Sequence, residues 1–197
     1  WYAGPVLAGA YPDLIGELPA AEVPEIREGD METICQPLDF LGVNYYSRGV
    51  FRAASESMYV DVAVPDKPVT DMGWEIYPEG LGEVLEMLSS RYELPPVYIT
   101  ENGAAMPDAL LNGAVDDALR IRFFEEHLAA LERAIAAGAD VRGYFAWSLM
   151  DNFEWSYGYS KRFGLVYVDY ETQERTVKSS YKAFQSMLKT RNDRSAC

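Results

Sequence analysis

The sequence is poor in the residues that most often carry metals, crosslinks and phosphates. It has one histidine, His127, and two cysteines, Cys35 and Cys197, among 197 residues. Two thiols are too few for a disulfide framework, so both are expected free, in a reducing compartment. Nothing has metal-ligand spacing, so no metal is expected. Basic residues are scarce: 17 Lys and Arg stand against 31 Asp and Glu, a net charge of −14. Duplex nucleic acid and anionic membrane surfaces both attract basic faces, so neither is an expected partner. No apolar run approaches the ~20 residues of a membrane helix, and no basic-then-apolar leader opens the chain. A cytoplasmic location is the default expectation. The chain opens on Trp1, and a leader ahead of that point would be hidden. There is no internal repeat, no low-complexity tract and no Gly-rich phosphate loop after a candidate strand.

What is present suits a core: 49% of residues are hydrophobic and 13% aromatic. Residues 4–32 are rich in Pro, Gly and acids and predict loop with short helical turns. Residues 39–46 read as a buried strand, and Met58 to Val64 as a strand in a long excursion. Pro78 opens a helix through Leu88, with Leu81, Val84, Leu85 and Leu88 on one face. Residues 97–100 form a second strand. Asp116 or Asp117 caps a long helix whose inner face is Leu119, Phe123, Phe124, Leu128, Leu131 and Ile135, with Gly138 just past its end. Residues 141–149 form a third strand, 163–170 a shorter one, and 179–189 a last helix with Tyr181, Phe184 and Leu188 inward. The main strands are apolar on both faces, as parallel strands sandwiched by helices are. Alternating β and α units imply a parallel α/β sheet, doubly wound or a barrel.

In barrels, chemistry sits where strands end. The first strand ends Asn44-Tyr45-Tyr46, with Asn44 and Tyr46 on one face. The second ends Thr100-Glu101-Asn102-Gly103. The third runs into Trp147 and on to Asp151, Asn152, Phe153, Glu154 and Trp155. Carboxylates, amides, phenols and indoles suit a sugar: indoles stack on pyranose CH faces, carboxylates and amides grip hydroxyls, and a rigid carboxylate can attack an anomeric carbon.

The full strings are more specific. Val97-Tyr-Ile-Thr-Glu-Asn-Gly103 resembles the nucleophile motif of glycoside hydrolase family 1, the β-glucosidases and their relatives. Asp39-Phe-Leu-Gly-Val-Asn-Tyr-Tyr46 resembles that family's sixth strand, and Gly143 through Trp155 its eighth. Asp71 through Gly80 and Gly158 through Asp169 are similar too. The resemblance implies a (β/α)₈ TIM barrel and a retaining β-glucosidase without cofactor. It makes Glu101 the nucleophile and Tyr46 the phenol that hydrogen-bonds it. Asn44 becomes a pocket amide, Trp147 the platform under the sugar, and Glu154 with Trp155 the grip on its hydroxyls. Trp74 and Phe163 fall on the pocket or aglycone wall. Helix packing is the expected role of His127, which lies mid-helix four residues after Phe123. Asp108, Asp116 and Asp117 read as loop and helix-start charge.

The resemblance is also incomplete. The family's acid/base Glu sits in an Asn-Glu-Pro motif after its fourth strand, and no Asn-Glu-Pro occurs here. The first-strand Gln and third-strand His of the sugar pocket have no counterpart either. Residues 1–197 are therefore expected to be the C-terminal segment of one barrel domain, carrying strands six, seven and eight. Three strands cannot close a barrel. Two bare edges invite pairing, and the inward Asn44, Tyr46, Ile99 and Glu101 would meet no opposite wall. The implied partners are a β-glucoside or oligosaccharide and the N-terminal segment of the same barrel, or another copy of this chain. The isolated chain is expected to be inactive. The alternatives are a self-associating fragment that at most binds sugar, or a scaffold recruited to another role. Glucose, galactose and fucose all remain open; a 6-phospho sugar is disfavoured, since no phosphate cradle is assembled near Lys161 and Arg162.

Overall fold

The computed structural model describes residues 2–55 and 59–195; Trp1, Met58 and Cys197 lie outside them. Two short helices, α1 (Ala3–Ala8) and α2 (Asp30–Ile34), flank a single 3₁₀ turn at Asp13–Glu17. This is the loop-and-turn region its Pro, Gly and acid content predicts. Then follow β1 (Leu41–Asn44), the hairpin β2 (Phe51–Ala53) and β3 (Tyr59–Asp61), and α3 (Glu79–Arg91). Next come β4 (Val97–Asn102), α4 (Ala118–Ala136) and β5 (Val141–Ala146). A second hairpin, β6 (Val166–Val168) with β7 (Arg175–Val177), leads to α5 (Ser179–Ser195). The strand expected over 163–170 is thus half of a hairpin, paired antiparallel with residues that carried no β pattern.

The three main strands form one parallel sheet in the order β1-β4-β5. Among the described residues no further strand pairs with the outer edge of β1 or β5. Helices α3 and α4 cover one face. Tyr45, Leu81, Leu85, Val97, Ile99 and Leu131 form the core there. Burying each such aliphatic side chain is worth about 1.5–3 kcal/mol, which is why the i, i+4 pair Leu81 and Leu85 holds α3 against the sheet. A second cluster, Ala104, Met106, Phe123, Phe124 and Leu165, sits nearer the strand ends and receives Tyr181 and Phe184 from α5.

The other face is open, and this corrects the expectation of a sheet covered on both sides. Gly42, Asn44 and Phe145 are exposed there. Ile99 is also corrected. It was expected to point inward with Glu101, two residues on, yet it is fully buried under the helices. The pairing shifts between Val43 and Asn44 on one side, and between Ile99 and Asn102 on the other, so Thr100 is an unpaired extra residue. A bulge re-aims the side chains beyond it. Alternation resumes with Glu101 on the open side and Asn102 buried. Two helix positions differ as well: Leu119 is 63% and Leu188 49% exposed. The inner face of α4 is instead completed by Arg120 and His127, both fully buried.

Candidate active site

The three strand ends and the loops after them enclose a cavity of about 440 Å³. Tyr46, Trp74, Glu101, Trp147, Asn152, Phe153, Glu154, Trp155 and Phe163 line it. Seven of the eight candidate residues therefore converge. The eighth, Asn44, lies outside that lining: it is exposed on the open face, where its Oδ1 accepts from the Thr100 hydroxyl at 2.7 Å.

Glu101 is held by Tyr46, whose hydroxyl donates to Oε2 at 2.6 Å. Burial raises the Tyr46 phenol pKa, and the hydrogen bond to Glu101 raises it further. The phenol thus stays protonated and serves as a fixed donor to the carboxylate. Behind it, Tyr46, Trp74 and Phe163 form an aromatic trio, with ring centroids 5.6 Å, 6.1 Å and 6.3 Å apart. Phe163 is only 2% exposed, so one ring serves both loop packing and the cavity floor. Lys161 donates to the Asp71 carbonyl at 2.6 Å and to its carboxylate at 3.0 Å. That contact ties the stretch bearing Trp74 to the loop bearing Phe163.

Glu154 is the other carboxylate in the lining. Its pKa is raised, first by burial and then by the nearby Glu101 charge. A loop closed by Glu154 N–H to Gly158 carbonyl at 2.7 Å presents it. Trp155 sits at the tip of that loop with φ +42°, in the left-handed region, and is 81% exposed. A non-glycine residue there costs of order 1 kcal/mol or more and is characteristic of functional turns. The Trp147–Ser148 peptide is cis. Beside it, Gly103 packs so closely that a Cβ would lie 1.7 Å from the Trp147 carbonyl oxygen.

An ion network beneath this loop was not legible in the sequence. Asp108 and Asp117, expected as loop and helix-start charge, have side chains 2% and 0% exposed. Arg120 binds both, and Lys178 donates to Asp108 at 2.5 Å and to Asp151 at 2.7 Å. Asp151 also accepts from Arg162 at 2.6 Å and from the Gly164 N–H at 2.9 Å. Asp151 therefore anchors the loop that carries Glu154 to the one that carries Phe163. The i, i+3 spacing of Asp117 and Arg120 was the one local hint of this network. His127 is fully buried, stacked on Phe123 with centroids 3.8 Å apart, and its Nδ1 lies 2.7 Å from the Phe123 carbonyl. It is a packing residue, as its helical position implied. Among the described residues no group of three His, Cys, Asp or Glu is placed to hold a metal ion, and no helix is long and apolar enough to cross a membrane.

The model of glycosyl hydrolase family 1 matches residues 1–193. The chain belongs to glycosyl hydrolase family 1. This family 1 chain is 44% identical to a 1,4-β-D-glucan glucohydrolase of Thermotoga neapolitana, over 95% of its own length and 43% of the relative's. It is 41% identical to a bifunctional β-D-glucosidase/β-D-fucosidase of Bifidobacterium breve, covering 95% of the chain and 45% of that protein. Its fold matches the solved family 1 β-glucosidase of Thermotoga maritima at a TM-score of 0.90 and 43% identity, over 95% of this chain and 43% of that one. The chain thus spans less than half the length of these relatives. The family 1 chain is a C-terminal portion of a TIM barrel, and among the described residues neither edge of its parallel sheet has a further strand.

Proposed function

We propose that residues 1–197 are the C-terminal segment of a single barrel domain that acts as a retaining β-glucosidase once a stretch carrying the first five strands completes it. The observation that carries this reading is the Glu101 carboxylate, held by Tyr46 at 2.6 Å in an aromatic-walled cavity. Glu101 attacks the anomeric carbon as the bond to the aglycone oxygen breaks, and an acid supplied by the other segment protonates that oxygen. Water then cleaves the glycosyl ester, giving its proton back to the same group and freeing Glu101. Trp147 stacks beneath the sugar, Glu154 and Trp155 grip its hydroxyls, and Trp74 with Phe163 forms the wall toward the aglycone. Asn44, outside the present lining and bonded to Thr100, meets the sugar only once the missing wall of the barrel is in place. The names of the relatives favour a terminal β-D-glucosyl residue, with β-D-fucosyl as the variant. The location proposed is the cytoplasm.

Glu101→Gln in the completed barrel tests the assignment. Hydrolysis of an aryl β-glucoside is expected to fall by at least about 10⁴-fold, the loss of a nucleophile. Near-normal turnover removes Glu101 from the role. The purified 197-residue chain is expected to show no appreciable turnover, because the cavity lining offers Glu101 and Glu154 and no further carboxylate. A second reading, self-association of the chain alone, is favoured by the bare edges of β1 and β5 and by Phe145 at 57% exposure. Sedimentation of the lone chain separates it from a monomer.

A further inference from the structure

Asn102 follows the proposed nucleophile and faces away from the cavity. It is fully buried. Its Nδ2 donates to the Tyr45 carbonyl of the β1 end at 2.7 Å. Its Oδ1 accepts from the Tyr144 hydroxyl of β5 at 2.6 Å. One side chain therefore ties β4 to both neighbours. It does so where the pairing is shifted on both sides around Thr100. The backbone on either side is held in the same way: Tyr45 N–H donates to the Glu101 carbonyl and Trp147 N–H to the Asn102 carbonyl, each at 2.9 Å.

The Tyr45 carbonyl belongs to the peptide that leads into Tyr46. Asn102 thus grips the segment that delivers the phenol and the segment that delivers the carboxylate. A bulge frees a strand end to turn its side chain, and it also loosens that end. Here the amide replaces the ladder bonds that the bulge removes. We propose that Asn102 is a positioning residue that sets the Glu101–Tyr46 pair against the anomeric carbon, with Tyr144 as its outer anchor. This rests on the reading of Glu101 as nucleophile.

The test uses the completed barrel. A 2-deoxy-2-fluoro-β-glucoside with a good leaving group first traps the nucleophile for mass analysis. A label on another carboxylate overturns the nucleophile reading, and this inference with it. With Glu101 labelled, Asn102→Leu is expected to lower kcat for an aryl β-glucoside about 10²-fold, the scale of a misplacement near 1 Å. KM should move less than about threefold, since no sugar contact is removed. Asn102→Asp keeps the shape but, when ionised, offers the Tyr45 carbonyl no proton. Its deficit relative to wild type is expected to shrink as pH falls from about 7 to about 5 and the buried carboxyl regains a donor. Tyr144→Phe deletes only the outer hydroxyl; it should cost about tenfold in kcat at constant KM, and it carries the test if the Asn102 variants do not fold. Folded Asn102→Leu or Tyr144→Phe enzyme with kcat within about threefold of wild type overturns the proposal. So does an Asn102→Asp deficit that is the same at every pH.

Discussion

Lowering the pH should destabilise this fold, and His127 carries a separable share of the loss. His127 is fully buried, and its Nε2 has no hydrogen-bond partner. Burial lowers its pKa from 6.5 to about 4, against smaller opposing effects of the Phe123 carbonyl, Glu126 and Glu79. The ring faces Phe123 and, at 5.9 Å, Tyr45, and neither can neutralise an imidazolium. The unfolded chain therefore binds more protons than the native one between pH 6.5 and about 4, and stability falls as pH drops through that window. At pH 5 an unfolded histidine is almost wholly protonated and the native one almost wholly neutral. The loss relative to neutral pH is about 2 kcal/mol, approaching about 3 kcal/mol at the bottom of the window. Urea unfolding followed by tryptophan fluorescence at pH 7.5 and pH 5 measures it. Carboxylates contribute too, so the decisive quantity is the difference between wild type and His127→Phe, in which they cancel. Because His127 is the sole histidine, its imidazole proton resonances are unambiguous and should not titrate between about pH 8 and pH 5 in the folded state. Equal pH slopes in the two proteins, or a native titration near pH 6.5, would refute the reasoning.

Three further outcomes follow from the geometry. Tyr46→Phe removes the donor to Glu101 and should lower kcat of the completed enzyme by about 10²-fold with a smaller change in KM; wild-type kcat would sever the pair. Lys178→Met leaves Asp108 and Asp151 without their shared cation and should cost about 3 kcal/mol, read as a lower urea midpoint at unchanged slope. An unmoved midpoint would make the network a spectator. Gly103→Ala places a Cβ 1.7 Å from the Trp147 carbonyl oxygen, a backbone atom that cannot swing away, so soluble expression should collapse or the melting temperature fall by many degrees. An unchanged melting temperature would show that the strand ends can separate freely.

The sequence by itself picked out seven of the nine residues that line the cavity, and one, Asn44, that does not. The strings around Tyr46, Glu101 and Trp147 through Trp155 are local, and each sits at a strand end, so chain order and strand direction suffice to bring them together. The order of strands and helices followed from apolar periodicity for the same reason: Leu81, Leu85, Phe123 and Leu131 mark inner faces that neighbouring elements must cover. Whatever depended on distant partners was decided by the tertiary structure. Ile99 and Glu101 are two residues apart and would share a face in any regular strand. Only pairing with β1 and β5 shows that Thr100 is an extra residue and that Asn102 turns inward to bind both. Asp108, Asp117, Asp151, Arg120, Arg162 and Lys178 look like surface charge because, Asp117–Arg120 apart, paired members lie 11 to 70 residues from each other in the chain. Burial is affordable for them only as a set, since a lone buried charge pays its desolvation with nothing in return. Local pattern carries periodicity and motif; charge compensation and register exist only between segments, and so appear only when the segments are brought together.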